Sequence, residues 1–281
     1  MTDEAKPATV AAGLRDDYVK LLKKALTMAL WDARDGSQPI PVRLGLRGQA
    51  KKLVKLMVGA GETPGLDSKS ARENGRDWPQ LAHTMIGLKR MDNLQSCVER
   101  VIRDDVPGDL IETGVWRGGA CIFMRGILKA YGVRDRCVWV ADSFEGLPPP
   151  DLENYPADAG DPHHTFIGLA VSMEDVQRNF AVYDLLDDQV RFLKGWFKDT
   201  LPQAPMERLA VARLDGDMYE STMDALKHVY PKLSPGGYLI VDDYGAVAGC
   251  KQAVEDYRQA QGITEPIQEI DGFGVFWRRA R

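Results

Sequence analysis

The spacing of apolar positions divides the chain into two parts. Up to residue 105, apolar side chains recur every three or four positions, first over residues 14–29 and again over residues 46–57. This spacing predicts amphipathic helices. Residues 61–79 are instead rich in glycine, serine and charged side chains, which predicts a mobile connection or lid. We therefore assign residues 1–105 to a helical N-terminal extension.

From about residue 106, short apolar runs alternate with helical stretches. Such alternation, with β-branched residues in the runs, predicts a parallel sheet with helices on both faces. The last two runs are separated only by a turn at Asp271 and Gly272, so they predict an antiparallel pair at the sheet edge. We expect a doubly wound, mostly parallel α/β domain over residues 106–281. The runs are 109–114, 137–143, 190–195, 209–215, 238–244, 266–270 and 272–279.

Composition narrows the class of protein. The 281 residues carry a net charge of −5 with a pI near 5.5, which argues against a nucleic-acid partner. The four cysteines are widely spaced without a CxxC pair, as is typical of reduced thiols in the cytosol. No apolar run approaches the ~20 residues of a membrane span, and the first residues lack the pattern of a signal peptide. We expect a cytoplasmic protein.

Residues 43–58, around the second predicted helix, carry a basic stripe opposite the apolar one. The basic side chains recur every four positions, at Arg43, Arg47, Lys51 and Lys55. A helix lying on a membrane surface can show this pattern. We favour a solvated face on a helix that docks against its own core or a partner subunit, and we expect a homo-oligomer.

Acidic residues close several of the apolar runs. In doubly wound sheets, ligands bind outside the carboxyl ends of the strands, and carboxylates gathered there repel one another unless a positive charge is bound. Asp215, Asp242 and Asp243 follow two different strands and form an oxygen-only set that suits Mg²⁺. We favour a metal site over plain turn formers, because two adjacent acids at the end of an apolar run are costly as turn residues alone.

The turn after the first strand carries Gly114 and Gly118. It lacks the middle glycine of a dinucleotide fingerprint and the Gly-Lys-Ser/Thr of a phosphate cradle. A ligand without a pyrophosphate fits better, with Glu112 and backbone amides meeting an amino-acid-like group. Asp142, at the end of the next strand, is placed to accept hydrogen bonds from ribose hydroxyls. S-adenosylmethionine is the nucleoside that suits this combination.

The segment from Arg213 to Thr222 places two more acids before a helix. Asp217 and Glu220 have the spacing of a capping box, with Asp217 as the N-cap. For Glu220 we favour capping alone. Asp217 also lies two residues from a predicted metal ligand, and we expect it to act as a general base.

Several motifs together resemble the macrocin-type (TylF) O-methyltransferases, which methylate sugar hydroxyls of antibiotics. The resemblance runs from about Leu14 to the C-terminus. It implies a class I methyltransferase fold, S-adenosylmethionine and Mg²⁺ as cofactors, and a glycoside acceptor. The motifs are LKRMDNLQSCVERVI, IETGVWRGGACIFMRGIL, DSFEGLPPP, FLKGWFKDTLP, RLDGDMYEST and GGYLIVDDYG.

The resemblance also implies roles for individual residues. Asp215, Asp242 and Asp243 would bind the metal, and Asp217 would be the general base. The cofactor would be bound by Thr84, Met85, Glu112, Thr113, Gly114, Val115, Trp116, Asp142, Ser143, Ser172, Trp196 and Asp215.

Four of the singled-out residues also have simpler interpretations. Ser172 precedes a helix and could only cap it, and Trp196 could be an ordinary core residue. His163 and His164 lie in a long Pro/Gly/Asp loop that we interpret as a lid over the acceptor. For both histidines we favour solvated side chains over ligands.

Other functions share parts of this pattern. Asp215 and Asp217 form a DxD that a metal-dependent glycosyltransferase could use, but that role leaves Asp242, Asp243 and the glycine turn unexplained. A haloacid-dehalogenase-type phosphatase also uses a DxD, normally on its first strand. A non-catalytic nucleoside-binding module is the third alternative, and the presence of Asp217 argues against it.

Overall fold

A computed structural model describes residues 7–31, 68–77, 79 and 81–280. The predicted helix at 46–57, the basic stripe at 43–58 and residues 61–67 and 78 of the predicted lid lie outside the described residues. The strands are β1 (Asp109–Thr113), β2 (Val138–Asp142), β3 (Val190–Lys194), β4 (Leu209–Leu214), β5 (Leu233–Val241), β6 (Gln268–Glu269) and β7 (Val275–Arg278). The helices are α1 (Pro7–Leu26), α2 (Ser68–Glu73), α3 (Leu88–Arg103), α4 (Gly119–Ala130), α5 (Met173–Val182), α6 (Phe197–Thr200), α7 (Tyr219–Val229) and α8 (Ala248–Gln261).

These strands form one seven-stranded sheet of order β3-β2-β1-β4-β5-β7-β6. β1 to β5 are parallel to one another, whereas β7 is antiparallel to both β5 and β6. The predicted α/β fold and its antiparallel C-terminal pair are therefore confirmed. The strand order reverses direction between β1 and β4, which opens the crevice where doubly wound sheets bind ligands.

The sheet separates two apolar cores, because successive side chains of a strand point to opposite faces. In β1, Leu110 belongs to the core beneath α1, α3, α4 and α5, and Ile111 to the core beneath α7 and α8. Helix α4 is buried over most of its surface, as expected for a helix covered by others. It packs closely under α1, since a Cβ on Gly126 would lie 2.2 Å from Leu22 Cδ2.

The described residues before β1 pack against the sheet, and α1 and α3 contribute side chains to one of its cores. In the predicted lid at 61–79, residues 68–73 form a short helix instead of an irregular connection. Arg72 fixes it, donating to the Thr27 carbonyl at 2.6 Å and to Asp77 at 2.8 Å. None of the helices in the described ranges has the length and apolar character needed to cross a bilayer. The thiols of all four cysteines are free.

Candidate active site

A cleft runs over the carboxyl ends of β1 to β4. It holds about 850 Å³ of space, part of it open to solvent. Five carboxylates and a single lysine are among the described residues that line it. The lining comprises Met85, Gly114, Trp116, Asp142, Ser143, Gly146, Leu147, Pro148, Leu169, Gly195, Trp196, Phe197, Lys198, Asp215, Gly216, Asp217, Glu220, Ser221 and Asp224.

The glycine turn after β1 is held against the ends of β4 and β2. Gly114 has φ +84°, and a Cβ there would lie 1.8 Å from the Asp215 carbonyl oxygen. Only glycine therefore fits. The carboxylate of Asp142 accepts hydrogen bonds from the backbone N–H groups of Val115 and Phe144, both at 2.7 Å. Asp142 thus fixes the turn as well as lining the cleft, which sequence reasoning had not foreseen.

The structure brings together some of the predicted cofactor residues and leaves others outside the cleft. Met85, Gly114, Trp116, Asp142, Ser143, Trp196 and Asp215 line it. Thr84, Glu112, Thr113, Val115 and Ser172 do not line it among the described contacts.

Two of the residues with simpler interpretations now have defined surroundings. Ser172 caps α5, accepting from the Asp175 N–H at 3.1 Å and donating to its carboxylate at 2.7 Å, as the capping interpretation predicted. Trp196 is half-buried and lines the cleft, so it is not an ordinary core residue.

Glu112 lies beneath the cleft in a buried ionic network around Arg213. Arg213 is 2% exposed and donates to Glu112, to Asp242 and, at 2.7 Å, to Asp215. Burial raises the pKa of Glu112 to about 7, against the opposing charge of Arg213. A buried guanidinium with three carboxylate partners holds the ends of β1, β4 and β5 in fixed positions.

Arg90, on α3, extends this network. It donates to the second carboxylate oxygen of Asp242, and its Nε lies 2.9 Å from Asp271 in the β6–β7 turn. Sequence reasoning missed both arginines. Arg213 carried a signal, since it is the only charged residue inside the apolar run 209–214.

The three predicted metal ligands lie together. One carboxylate oxygen from each of Asp215, Asp242 and Asp243 falls within 4.8 Å of the others. Asp243 Oδ2 is buried and has no hydrogen-bond partner among the described residues. Burial and the charges of Asp217, Asp215 and Asp242 raise the pKa of Asp243 well above its usual range. The cluster therefore has the charge, oxygen donors and orphaned atom that suit a hard divalent cation.

Asp217 does not cap α7, contrary to the predicted capping box. The N-cap position is Met218, and the backbone N–H groups of Tyr219 and Glu220 donate instead to Asp158, at 2.6 and 3.0 Å. The cap thus comes from a residue some sixty positions earlier, and Glu220 takes no capping role with its side chain. Its carboxylate lies 3.5 Å from Lys198 Nζ.

Asp217 is left with its carboxylate at the cleft. Its backbone is left-handed, with φ +56°, a conformation that Asp and Asn tolerate better than most residues. Burial raises its pKa to about 7, partly offset by the positive charge of His163. A carboxylate with a pKa near neutrality is suited to general base catalysis.

The loop from residue 151 to residue 170, hereafter the 151–170 loop, covers this edge. His163 Nε2 lies 3.4 Å from Asp217 Oδ1, while its Nδ1 lies 2.7 Å from Asp161 Oδ1. The expectation that His163 is merely solvated is therefore wrong, because the loop folds back and carries it onto Asp217. His164 is exposed, as expected. Trp116 Nε1 also donates to the Gly168 carbonyl of this loop, at 2.9 Å.

Comparison with known proteins decides the family. The model of the macrocin-O-methyltransferase (TylF) family matches residues 15–279. The chain belongs to this family. It is 60% identical over 215 residues to the mycinamicin III 3''-O-methyltransferase of Micromonospora griseorubida, covering 75% of this chain and 84% of that protein.

Two further relatives extend the similarity over almost the whole chain. The 8-demethyl-8-(2,3-dimethoxy-α-L-rhamnosyl)-tetracenomycin-C 4'-O-methyltransferase of Streptomyces olivaceus is 54% identical over 265 residues, 94% of this chain and 93% of that protein. The solved structure of the O-methyltransferase NovP has a TM-score of 0.82 at 49% identity, covering 95% of this chain and 100% of NovP. The predicted resemblance is confirmed. The TylF-family chain is an S-adenosylmethionine-dependent O-methyltransferase, and neither the glycosyltransferase nor the binding-module alternative is favoured.

Proposed function

We propose that this TylF-family enzyme transfers the methyl group of S-adenosylmethionine to a hydroxyl of a sugar on a natural product, with a divalent cation such as Mg²⁺ at Asp215, Asp242 and Asp243. The relatives named above are O-methyltransferases by their names, and one of them is named for a rhamnosyl-bearing tetracenomycin, which supports a glycoside acceptor. The observation that carries the proposal is the convergence of the cleft, the three-aspartate cluster and Asp217 at one sheet edge.

The charge of the cleft supports a cationic cofactor. Its described lining has five carboxylates, and its lysine, Lys198, lies beside Glu220. Such a lining attracts the positively charged sulfonium of S-adenosylmethionine and repels the pyrophosphate of a nucleotide-sugar. Met85, the glycine turn at 114–116, Asp142, Ser143 and Trp196 are the residues that we expect to bind it.

In the proposed reaction the acceptor oxygen attacks the methyl carbon as the carbon–sulfur bond breaks. Asp217 accepts the hydroxyl proton, and His163 and Asp161 hold the Asp217 carboxylate in place. A cation bound at the three aspartates would lower the pKa of the acceptor hydroxyl. Arg213 and Arg90 hold Asp242 at its position in that cluster. No covalent enzyme intermediate is required.

The test is turnover with S-adenosylmethionine and a panel of deoxysugar glycosides, with the products analysed by mass spectrometry. We expect a mass gain of one methyl group on at least one glycoside, and no product when a chelator is in excess. The Asp217→Asn protein serves as the inactive control. Methylation that persists undiminished in chelator would contradict the requirement for a cation. The absence of any methylated glycoside would contradict a glycoside acceptor.

A further inference from the structure

The cleft has a second polar region that the proposed reaction does not use. Ser221 and Asp224 lie three positions apart on α7, hence on one face of the helix, and both line the cleft. Each is only 9% exposed. Within the described ranges neither side chain has a hydrogen-bond or ion-pair partner. Both side chains face the cleft, so a ligand that enters it can supply the hydrogen-bond partners that the pair lacks within the protein.

Asp224 lies on the β3 side of the cleft, away from the proposed base. The charged groups that act on it are Lys227, one turn further along α7, and then Lys198 and Asp199 of α6, the helix that directly follows β3. The main charged groups acting on Asp217 form a different set, namely His163, Asp215, Asp161 and Asp242. Asp224 therefore faces a different part of the bound ligands than Asp217 does.

That part is where the base of a nucleoside would lie. With its ribose at Asp142, at the end of β2, a nucleoside can place its base against Trp196 and Phe197, which line the same cleft at the end of β3. Ser221 forms the adjoining wall. A Cβ on Gly216 would lie 3.1 Å from Ser221 Cβ and 3.4 Å from Phe197 Cε2, so these two side chains flank one narrow region.

The chemistry of the pair is complementary to adenine. Adenine presents an exocyclic amine that donates, next to ring nitrogens that accept. An ionised carboxylate only accepts, and a serine hydroxyl can donate. We infer that Asp224 accepts a hydrogen bond from the exocyclic amine of the cofactor's adenine and that Ser221 donates to an adjacent ring nitrogen. This assignment rests on the proposed function, since it takes S-adenosylmethionine as the nucleoside in the cleft.

Calorimetry with two nucleosides tests this assignment without turnover. S-adenosylhomocysteine is compared with S-inosylhomocysteine, in which a carbonyl oxygen replaces the amine. The wild-type protein should bind the adenine compound about ten- to a hundredfold more tightly, the effect of losing a hydrogen bond to a charged group. In Asp224→Asn the side-chain amide can donate to the carbonyl, so the ratio of the two Kd values should fall to within about threefold of one.

The matched control is Asp199→Asn, which removes an exposed charge beside Asp224 and should keep the wild-type ratio. Ser221→Ala provides an independent variant, with an expected rise of about three- to tenfold in the Kd of S-adenosylhomocysteine. Thermal melts followed by circular dichroism establish that each variant is folded. If Asp224→Asn does not fold, the adenine assignment is tested by the ratio of the two Kd values in the wild type and by the Kd of S-adenosylhomocysteine in Ser221→Ala.

The outcomes separate this inference from the proposed function. Equal affinity of the wild type for both nucleosides, or an unchanged ratio in Asp224→Asn, overturns the adenine assignment and leaves methyl transfer intact. If Asp224→Asn changes the KM of the acceptor but leaves the ratio of the two nucleoside Kd values unchanged, Asp224 belongs to the acceptor site. That result also overturns the adenine assignment. Failure of the wild type to bind either nucleoside overturns both the cofactor site and the adenine assignment.

Discussion

Asp215 and Asp217 stand two positions apart in sequence, yet their surroundings give them different chemistry. Asp215 accepts from the buried Arg213 at 2.7 Å and lies in the three-aspartate cluster. Asp217 lies outside that cluster, lines the cleft and has His163 at 3.4 Å. The first arrangement suits a metal ligand and the second suits a base.

Replacement of Asp217 by asparagine should therefore reduce kcat by about two to four decades, the usual loss for a missing base. The Kd of S-adenosylhomocysteine and the cation concentration for half-maximal activity should stay near the wild-type values. Asparagine tolerates the left-handed backbone at this position, and no helix cap is lost. Steady-state kinetics and calorimetry measure both effects.

Asp215→Asn is the matched comparison. An amide is a poorer ligand for a hard cation than a carboxylate, so this variant should need more cation for half-maximal activity. A near-normal kcat in Asp217→Asn would show that Asp217 is not the base.

The pH profile provides a separate check on Asp217. Burial raises its pKa to about 7, and a base must be unprotonated to accept a proton. Activity should therefore fall about tenfold per pH unit below the pKa. A bound cation favours the carboxylate form, so the midpoint should move to lower pH as the cation concentration approaches saturation. A kcat that does not change between about pH 5 and pH 8 at low cation contradicts this prediction.

At the scale of elements, the sequence predicted the strands and their ends, which follow from the periodic apolar pattern. It did not predict contacts made by residues that are distant in sequence. The strand ends were predictable because apolar runs stop at acids, so Asp142, Asp215 and Asp242 could be placed at one edge. The capping of α7 was not predictable. A local capping box at Asp217 matched the pattern, but the 151–170 loop supplies Asp158 instead, and tertiary folding of that loop leaves no local signal.

Asp158→Ala should lower the free energy of unfolding by about 1 kcal/mol, within the ~0.5–2 kcal/mol range of lost N-caps. It removes the acceptor for two N–H groups at the start of α7, and Asp158→Asn should recover much of the loss. Because the same loop carries His163, kcat should fall as well. Denaturant unfolding and kinetics measure the two effects.

Glu153→Ala is the control in the same loop, since Glu153 is exposed and caps no helix. It should leave both the unfolding free energy and kcat unchanged. Equal stability of Asp158→Ala and Glu153→Ala would mean that the Asp158 cap contributes nothing.

At the scale of the whole molecule, the buried arginines connect distant parts of the chain. Arg213 links β1, β4 and β5, and Arg90 links α3 with Asp242 and with Asp271 near the C-terminus. Periodicity predicts that strands meet but not which buried charges pair between them. The pairing of Glu112 with Arg213 could not be predicted either. Glu112 was expected to contact the cofactor, but it lies beneath the cleft in this network.

The position of the three-aspartate cluster at the sheet edge leads to a prediction about how a bound cation affects the stability of the fold. The three aspartates come from β4 and β5, so the site exists only in the folded chain, and a cation that binds there stabilises it. At a hundredfold excess over Kd, the gain is about 2.7 kcal/mol. The melting temperature should rise with Mg²⁺ and return to its starting value in chelator.

Asp243→Asn should abolish the rise in melting temperature, because it replaces the carboxylate that has a buried oxygen without a partner. Asp199→Asn, the control, should preserve the rise. A melting temperature that is the same in excess Mg²⁺ and in excess chelator would exclude a cation site at these residues.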